Sequence, residues 1–126
     1  MRSTKSIGGS AQFQKAELDH LIGQARSSPD SYAAAVLRSD LLSVGLYLLP
    51  ADGTDDQKPH NEDEVYYTVR GRATLQVGAE DHAVGPGTVL FVPALAPHHF
   101  HDISEELVLV VFWAPPERSV QTDRPV

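Results

Sequence analysis

The chain has 126 residues, 41% of them apolar and 21% charged, which suffices for one compact core and not for two. Its net charge of -7 argues against a nucleic-acid backbone or an anionic membrane surface as partner, because both need clustered Lys and Arg. There is no cysteine, so disulfides, thiolate-bound zinc, iron–sulfur clusters and thiol nucleophiles are excluded.

Residues 1–12 are rich in Ser and Gly and read as a flexible N-terminus with no apolar stretch of signal-peptide length. No run of about 20 apolar residues follows, so a cytoplasmic location without a membrane span is expected. Leu18, Leu21, Ile22 and Ala25 then fall at i, i+3, i+4 and i+7, one apolar face of a helix over 13–26, and Ser27-Ser28-Pro29-Asp30 closes that helical unit at residue 30. Strand-like runs follow at Tyr32–Arg38, Leu41–Leu49, Glu64–Val69, Ala73–Val77, His82–Val84, Thr88–Val92, His98–Ile103 and Leu107–Trp113. Turn signals separate them: Pro50-Ala51-Asp52-Gly53, Arg70-Gly71-Arg72, Gly78-Ala79-Glu80-Asp81, Gly85-Pro86-Gly87 and Ser104-Glu105-Glu106. Many short strands at near-regular spacing predict an all-β barrel or sandwich over 31–116, with 117–126 as a polar tail. Leu107–Trp113 is apolar at every position, so both of its faces need cover.

Six histidines carry most of the available chemistry. His20 on the helix and His82 after a hairpin turn read as exposed residues. The others form two groups, His60 with Glu62 and Glu64, and His98 with His99 and His101. Without thiolates, imidazole and carboxylate are the ligands for Zn, Fe(II), Mn or Ni. His60, Glu64 and one histidine of the second group make a two-histidine, one-carboxylate set if the two segments are neighbours. The competing reading is a rim of polar strand ends.

The punctuation around these groups resembles the two motifs of the cupin superfamily, in the form of a small single-domain barrel. Gly53, His60, Glu64 and Gly71 match the first, with one extra residue after Gly53. Gly87, Pro93 and His98 match the second, with Leu95 in place of its second glycine and Asp102 where asparagine is common. The resemblance spans about residues 40–114. It implies an all-β, double-stranded β-helix (jelly-roll) barrel with a short N-terminal helix and one divalent metal in its mouth, ligated by His60, Glu64 and His98. Strand alternation then turns His99 and His101 away from the metal.

Lys58 stands where the family has its first histidine, and an ammonium cannot ligate unless it is deprotonated. Three alternatives follow. The site has three ligands, or Gln57 fills the fourth place as in some cupins related to phosphomannose isomerase, or the metal is absent and Lys58 pairs with Glu64. Glu62 and Asp63 read most simply as solvated loop acids, with Glu62 also a candidate general base. Tyr66 and Thr68 share the face of Glu64, which makes Tyr66 a candidate catalytic acid. Leu46, Leu75, Leu90, Phe100, Val110 and Phe112 are the expected inner wall, and Trp113 reads as packing.

The resemblance implies a metal-dependent enzyme of dioxygenase, isomerase or lyase type acting on a small molecule. The alternatives are a cupin that binds a ligand or metal without turnover, and a metal-free acid–base cupin like the sugar-nucleotide epimerases. A homodimer is expected, because similar proteins pair through sheet edges.

Overall fold

The computed structural model describes residues 12–29, 32–55 and 59–117. The tail from 118, Gln57 and Lys58, and all but the last residue of the expected flexible N-terminus lie outside the described residues. The element order is α1 (Leu18–Ser27), β1 (Tyr32–Arg38), β2 (Ser43–Leu49), β3 (Asp63–Val77), β4 (Glu80–Val84), β5 (Val89–Val92) and β6 (His98–Ala114). All strand pairings are antiparallel, in the order β1-β2-β6-β3-β4, with β5 paired to β3. β5 lies along the first half of β3 and β4 along the second, while β6 runs beside both halves. This is the all-β jelly-roll barrel with one short helix that the motifs imply.

The helix starts at Leu18, where its apolar pattern begins and five residues later than the expected range of 13–26. Gln14 is engaged elsewhere. Its side-chain amide donates to the Arg38 carbonyl and accepts from the Arg38 N–H, so it completes the β1 edge instead of joining a helix. α1 buries Leu21, Ile22 and Ala25 against Leu46, Leu48 and Val108 on the outer face of the sheet. Leu21 and Ile22 each contribute about 2 kcal/mol by leaving water. Arg26 also makes a two-pronged bond to Glu106 at 2.9 Å, worth at most about 1 kcal/mol because both groups are partly exposed.

Two expected turns are absent. Arg70-Gly71-Arg72 lies inside the 15-residue β3, and Ser104-Glu105-Glu106 lies inside the 17-residue β6. Instead of turning, the two long strands slip register together between Thr68 and Thr74. Gly71 makes this possible. Its φ is +101°, and a Cβ there would run into the Glu106 carbonyl oxygen.

The slip inverts which residues face inward. On β3, Glu64, Tyr66 and Thr68 are buried before it, and Ala73 and Leu75 after it. On β6, His98 and Phe100 give way to Ile103, Leu107, Leu109, Val111 and Trp113. Leu75 and Phe100 line the inner core and Leu90 packs against it, as expected. Leu46 and Val110 do not, since they lie on the outer face under α1. Phe112 is also outside, 39% exposed. A bulge that adds residues to one strand shifts the period-2 alternation, so simple counting fails beyond it.

Candidate metal centre

Glu64 is the second residue of β3 and the first of its inward row. Opposite it on β6 stands Trp113, and across from that strand start lies Val92 of β5. His60 sits in the loop that enters β3. Its carbonyl accepts the Leu95 N–H at 2.7 Å, and Asp63 Oδ1 accepts the Ala94 N–H at 2.9 Å. These two bonds tie the His60 loop to the turn before His98. That turn contains Leu95 at φ +68°, the left-handed conformation that a glycine would adopt without strain. The departure from the second motif therefore keeps the motif's backbone shape.

The structure brings His60, Glu64 and His98 together, with one ligand atom from each lying within 4.8 Å of the others. His98 Nε2 is 2.9 Å from Glu64 Oε1, and His60 Nε2 is 3.8 Å from Glu64 Oε2. Tyr66 Oη is 3.2 Å from His98 Nε2 and 3.3 Å from Glu64 Oε2. Trp113 Nε1–H donates to Glu64 Oε2 at 2.9 Å. Glu64, Tyr66, His98 and Trp113 are buried, and His60 is partly exposed, so it marks the side open to solvent.

His98 shows what such a cluster is suited to bind. Its Nδ1 lies 2.8 Å from the Ala96 carbonyl, which can only accept, so Nδ1 carries a proton. A neutral His98 then points its Nε2 lone pair at the Glu64 carboxylate. Two acceptors face each other at 2.9 Å unless a cation lies between them. In the metal-free protein a proton fills that place below the His98 pKa. Burial pushes the His98 pKa down, but the Glu64 hydrogen bond, the Ala96 carbonyl and the charges of Glu64 and Asp55 outweigh it, so the value is raised above 6.5. The buried charged side chains near this point, Asp55, Glu62 and Glu64, are acidic, and no Lys or Arg is buried among the described residues. Two imidazoles and a carboxylate amid buried acids fit a divalent ion of the Zn, Fe, Mn or Ni group.

The remaining site expectations fared unevenly. Gln57 and Lys58 lie outside the described residues. Glu62 is not a solvated loop acid. It is 3% exposed in the loop that enters β3, although it is not part of the three-ligand group. Asp63 is exposed and caps the 93–97 turn. Thr68 is fully buried below Tyr66, and its Oγ1 has no hydrogen-bond partner among the described residues. His99 and His101 lie outside the three-ligand group, their tilted rings 5.5 Å apart, and His101 meets Asp81 at 3.0 Å and Asp102 at 3.2 Å. His20 is exposed, as is His82, which lies 3.5 Å from Glu80.

Two residues of the site were missed in the sequence. Trp113 read as packing, yet it holds the candidate carboxylate ligand. Counting alternation from Glu64's partner strand with the bulge in place would have turned it inward. Asp55 is buried, and its two oxygens accept from Tyr47 Oη at 2.9 Å and the Phe100 N–H at 2.8 Å. It fastens the loop after β2 beside His98 and adds negative charge there. Nothing in the acidic run around it distinguished Asp55 from its neighbours.

Comparison with known proteins agrees with this fold. A family profile for the cupin domain matches residues 45–115, which include all three candidate ligands. An uncharacterized protein from Streptomyces coelicolor is 48% identical over 100 residues, covering 79% of this chain and 94% of its own. The TT1209 protein from Thermus thermophilus superposes with a TM-score of 0.65 at 31% identity, covering 82% of this chain and 99% of that one. The DMSP lyase DddQ from Ruegeria pomeroyi DSS-3 gives a TM-score of 0.57 at 26% identity over 60% of this chain, which spans only 39% of the lyase. The barrel is the double-stranded β-helix also seen in more distant relatives. With the family profile covering more than half the sequence and a near full-length relative at 48% identity, the chain belongs to the cupin family.

Proposed function

We propose that this cupin holds one divalent metal ion on His60, Glu64 and His98 and acts on a small molecule in the barrel mouth. The observation that carries this is the convergence of the three ligand atoms within 4.8 Å, in a buried acidic setting with one partly exposed side. When bound, the metal supplies Lewis acidity to an oxygen of the substrate. The rest falls to the protein. Tyr66 holds a proton at its phenol oxygen between Glu64 Oε2 and His98 Nε2, where it can be passed to or taken from a bound molecule. Glu62, buried nearby, is a second candidate for moving a proton. Phe100, Leu75, Val92 and Val111 exclude water below the site. A proton-carrying phenol at the centre favours isomerisation or elimination over oxygen insertion, and the likeness to a DMSP lyase supports the lyase class.

Metal content of purified protein, followed by binding titrations on His60→Ala and His98→Ala, tests the metal claim. Bound metal with no turnover across thioether, hydroxy-acid and sugar-acid panels would favour a binding module instead. The epimerase-like reading is the weaker one, because the buried acids repel the phosphates of a nucleotide sugar.

The same reading includes a homodimer formed through the open part of the outer sheet face. Register places Phe91, Val65 and Phe112 in one row and Val89, Tyr67 and Val110 in the next. α1 covers the Val110 end, while Phe91 at 63% and Val89 at 64% remain exposed. An uncharged, aromatic-rich patch of this kind suits the centre of a two-fold interface.

A further inference from the structure

The two oxygens of Glu64 are in different situations. Oε2 accepts from Trp113 Nε1–H at 2.9 Å and lies 3.3 Å from the Tyr66 hydroxyl, while Oε1 faces His98 Nε2 at 2.9 Å. An indole N–H only donates, and Trp113 is itself fixed, 2% exposed in the inner core. We propose that Trp113 is a positioning residue for the metal centre. Its N–H fixes the plane of the Glu64 carboxylate by holding Oε2, which also faces His60 Nε2 at 3.8 Å, so that Oε1 is aimed at His98 on the other side of the cluster. This rests on the metal-binding reading above and adds a part for a residue outside the ligand set. Without the N–H, the carboxylate can rotate about its last bond, and the trio must be ordered when the ion arrives. Groups that orient a ligand in this way typically change metal affinity by about 10–100-fold.

Trp113 is also the chain's single tryptophan, so its emission reports on the candidate ligand directly. The test titrates metal-free wild type, His60→Ala and Trp113→Phe with Zn2+ and with the quencher Ni2+. Binding is followed by calorimetry in all three and by tryptophan emission in the first two, with circular dichroism and thermal unfolding as folding controls. The expected result is saturable Ni2+ quenching in wild type that is lost in His60→Ala, and Zn2+ affinity at least about tenfold weaker in Trp113→Phe with the fold intact. Phenylalanine keeps most of the packing, so a purely structural role would lower the melting temperature and leave the affinity unchanged. Unchanged affinity in a folded Trp113→Phe overturns the proposal while the metal site stands. If that variant does not fold, the wild-type titration decides, since emission that ignores stoichiometric metal overturns the proposal on its own. Binding of neither metal by wild type overturns both the proposal and the metal reading.

Discussion

The metal and a proton should compete for one place, the gap between His98 Nε2 and Glu64 Oε1. Because Nδ1 already donates to the Ala96 carbonyl, the proton that a metal displaces is the one on Nε2. The His98 pKa is raised above 6.5, so this competition begins on the alkaline side of that value. Below the folded pKa, each pH unit should weaken apparent affinity by about tenfold for the proton displaced at His98, or roughly 1.4 kcal/mol. Stability of the metal-free protein follows the same group with a definite sign. A raised histidine pKa adds stability that is fully present below the unfolded value of 6.5 and is lost as pH rises through the folded value. Metal-free protein should therefore melt lower as pH rises through that range, while metal-loaded protein melts higher. Calorimetric titrations with Zn2+ from pH 5.5 to 8.5, in two buffers of different ionisation enthalpy, measure affinity and released protons together. Asp55→Asn removes a charge that raises His98 without touching a ligand, so it should move the affinity inflection to lower pH. An affinity that stays flat through pH 6.5, with no proton released, would refute the assignment of Nε2.

Three further outcomes follow from the fold. Leu109→Ala empties an inner core position and should cost about 3 kcal/mol in urea unfolding, whereas Phe112→Gln, on the outer face, should cost about 1 kcal/mol; the reverse order would mean the register slip is misplaced. Leu95→Gly relieves a left-handed residue that is 57% exposed, so it should stabilise by about 0.5 kcal/mol, and a loss of stability would show that the Leu95 side chain matters more than its backbone. Phe91→Glu should convert a dimer to a monomer by sedimentation with metal affinity unchanged; a wild type that sediments as a monomer refutes the proposed interface.

The barrel was legible because its signals are local. Turn residues, alternation and the spacing from Gly53 to Gly71 and from Gly87 to His98 each depend on a few adjacent residues, and they singled out the His60, Glu64 and His98 segments that the fold brings together. The second motif singled out His98, and alternation along the short strand then set His99 and His101 on the opposite face. What escaped the sequence depends on contacts between distant segments. Gly71 reads as a turn residue until Glu106 is placed against it. The register slip it permits then turns Val110 and Phe112 outward and Trp113 inward. Leu46 misled for another reason, because an apolar residue facing a helix on the outside has the same sequence signature as one facing the barrel. Glu62 and Asp55 look like solvent-facing acids, as most acids in loops are. Their burial follows from how the loops fold over the barrel end, which composition does not encode.

The most direct test of the central claim is elemental analysis of protein purified without added metal and after exchange with Zn2+, alongside His98→Ala. A metal centre on His60, Glu64 and His98 predicts about one divalent ion per chain in the wild type and a large loss in a folded His98→Ala. Wild-type protein that neither retains nor takes up a stoichiometric ion, or a His98→Ala variant that binds as well as wild type, would contradict it.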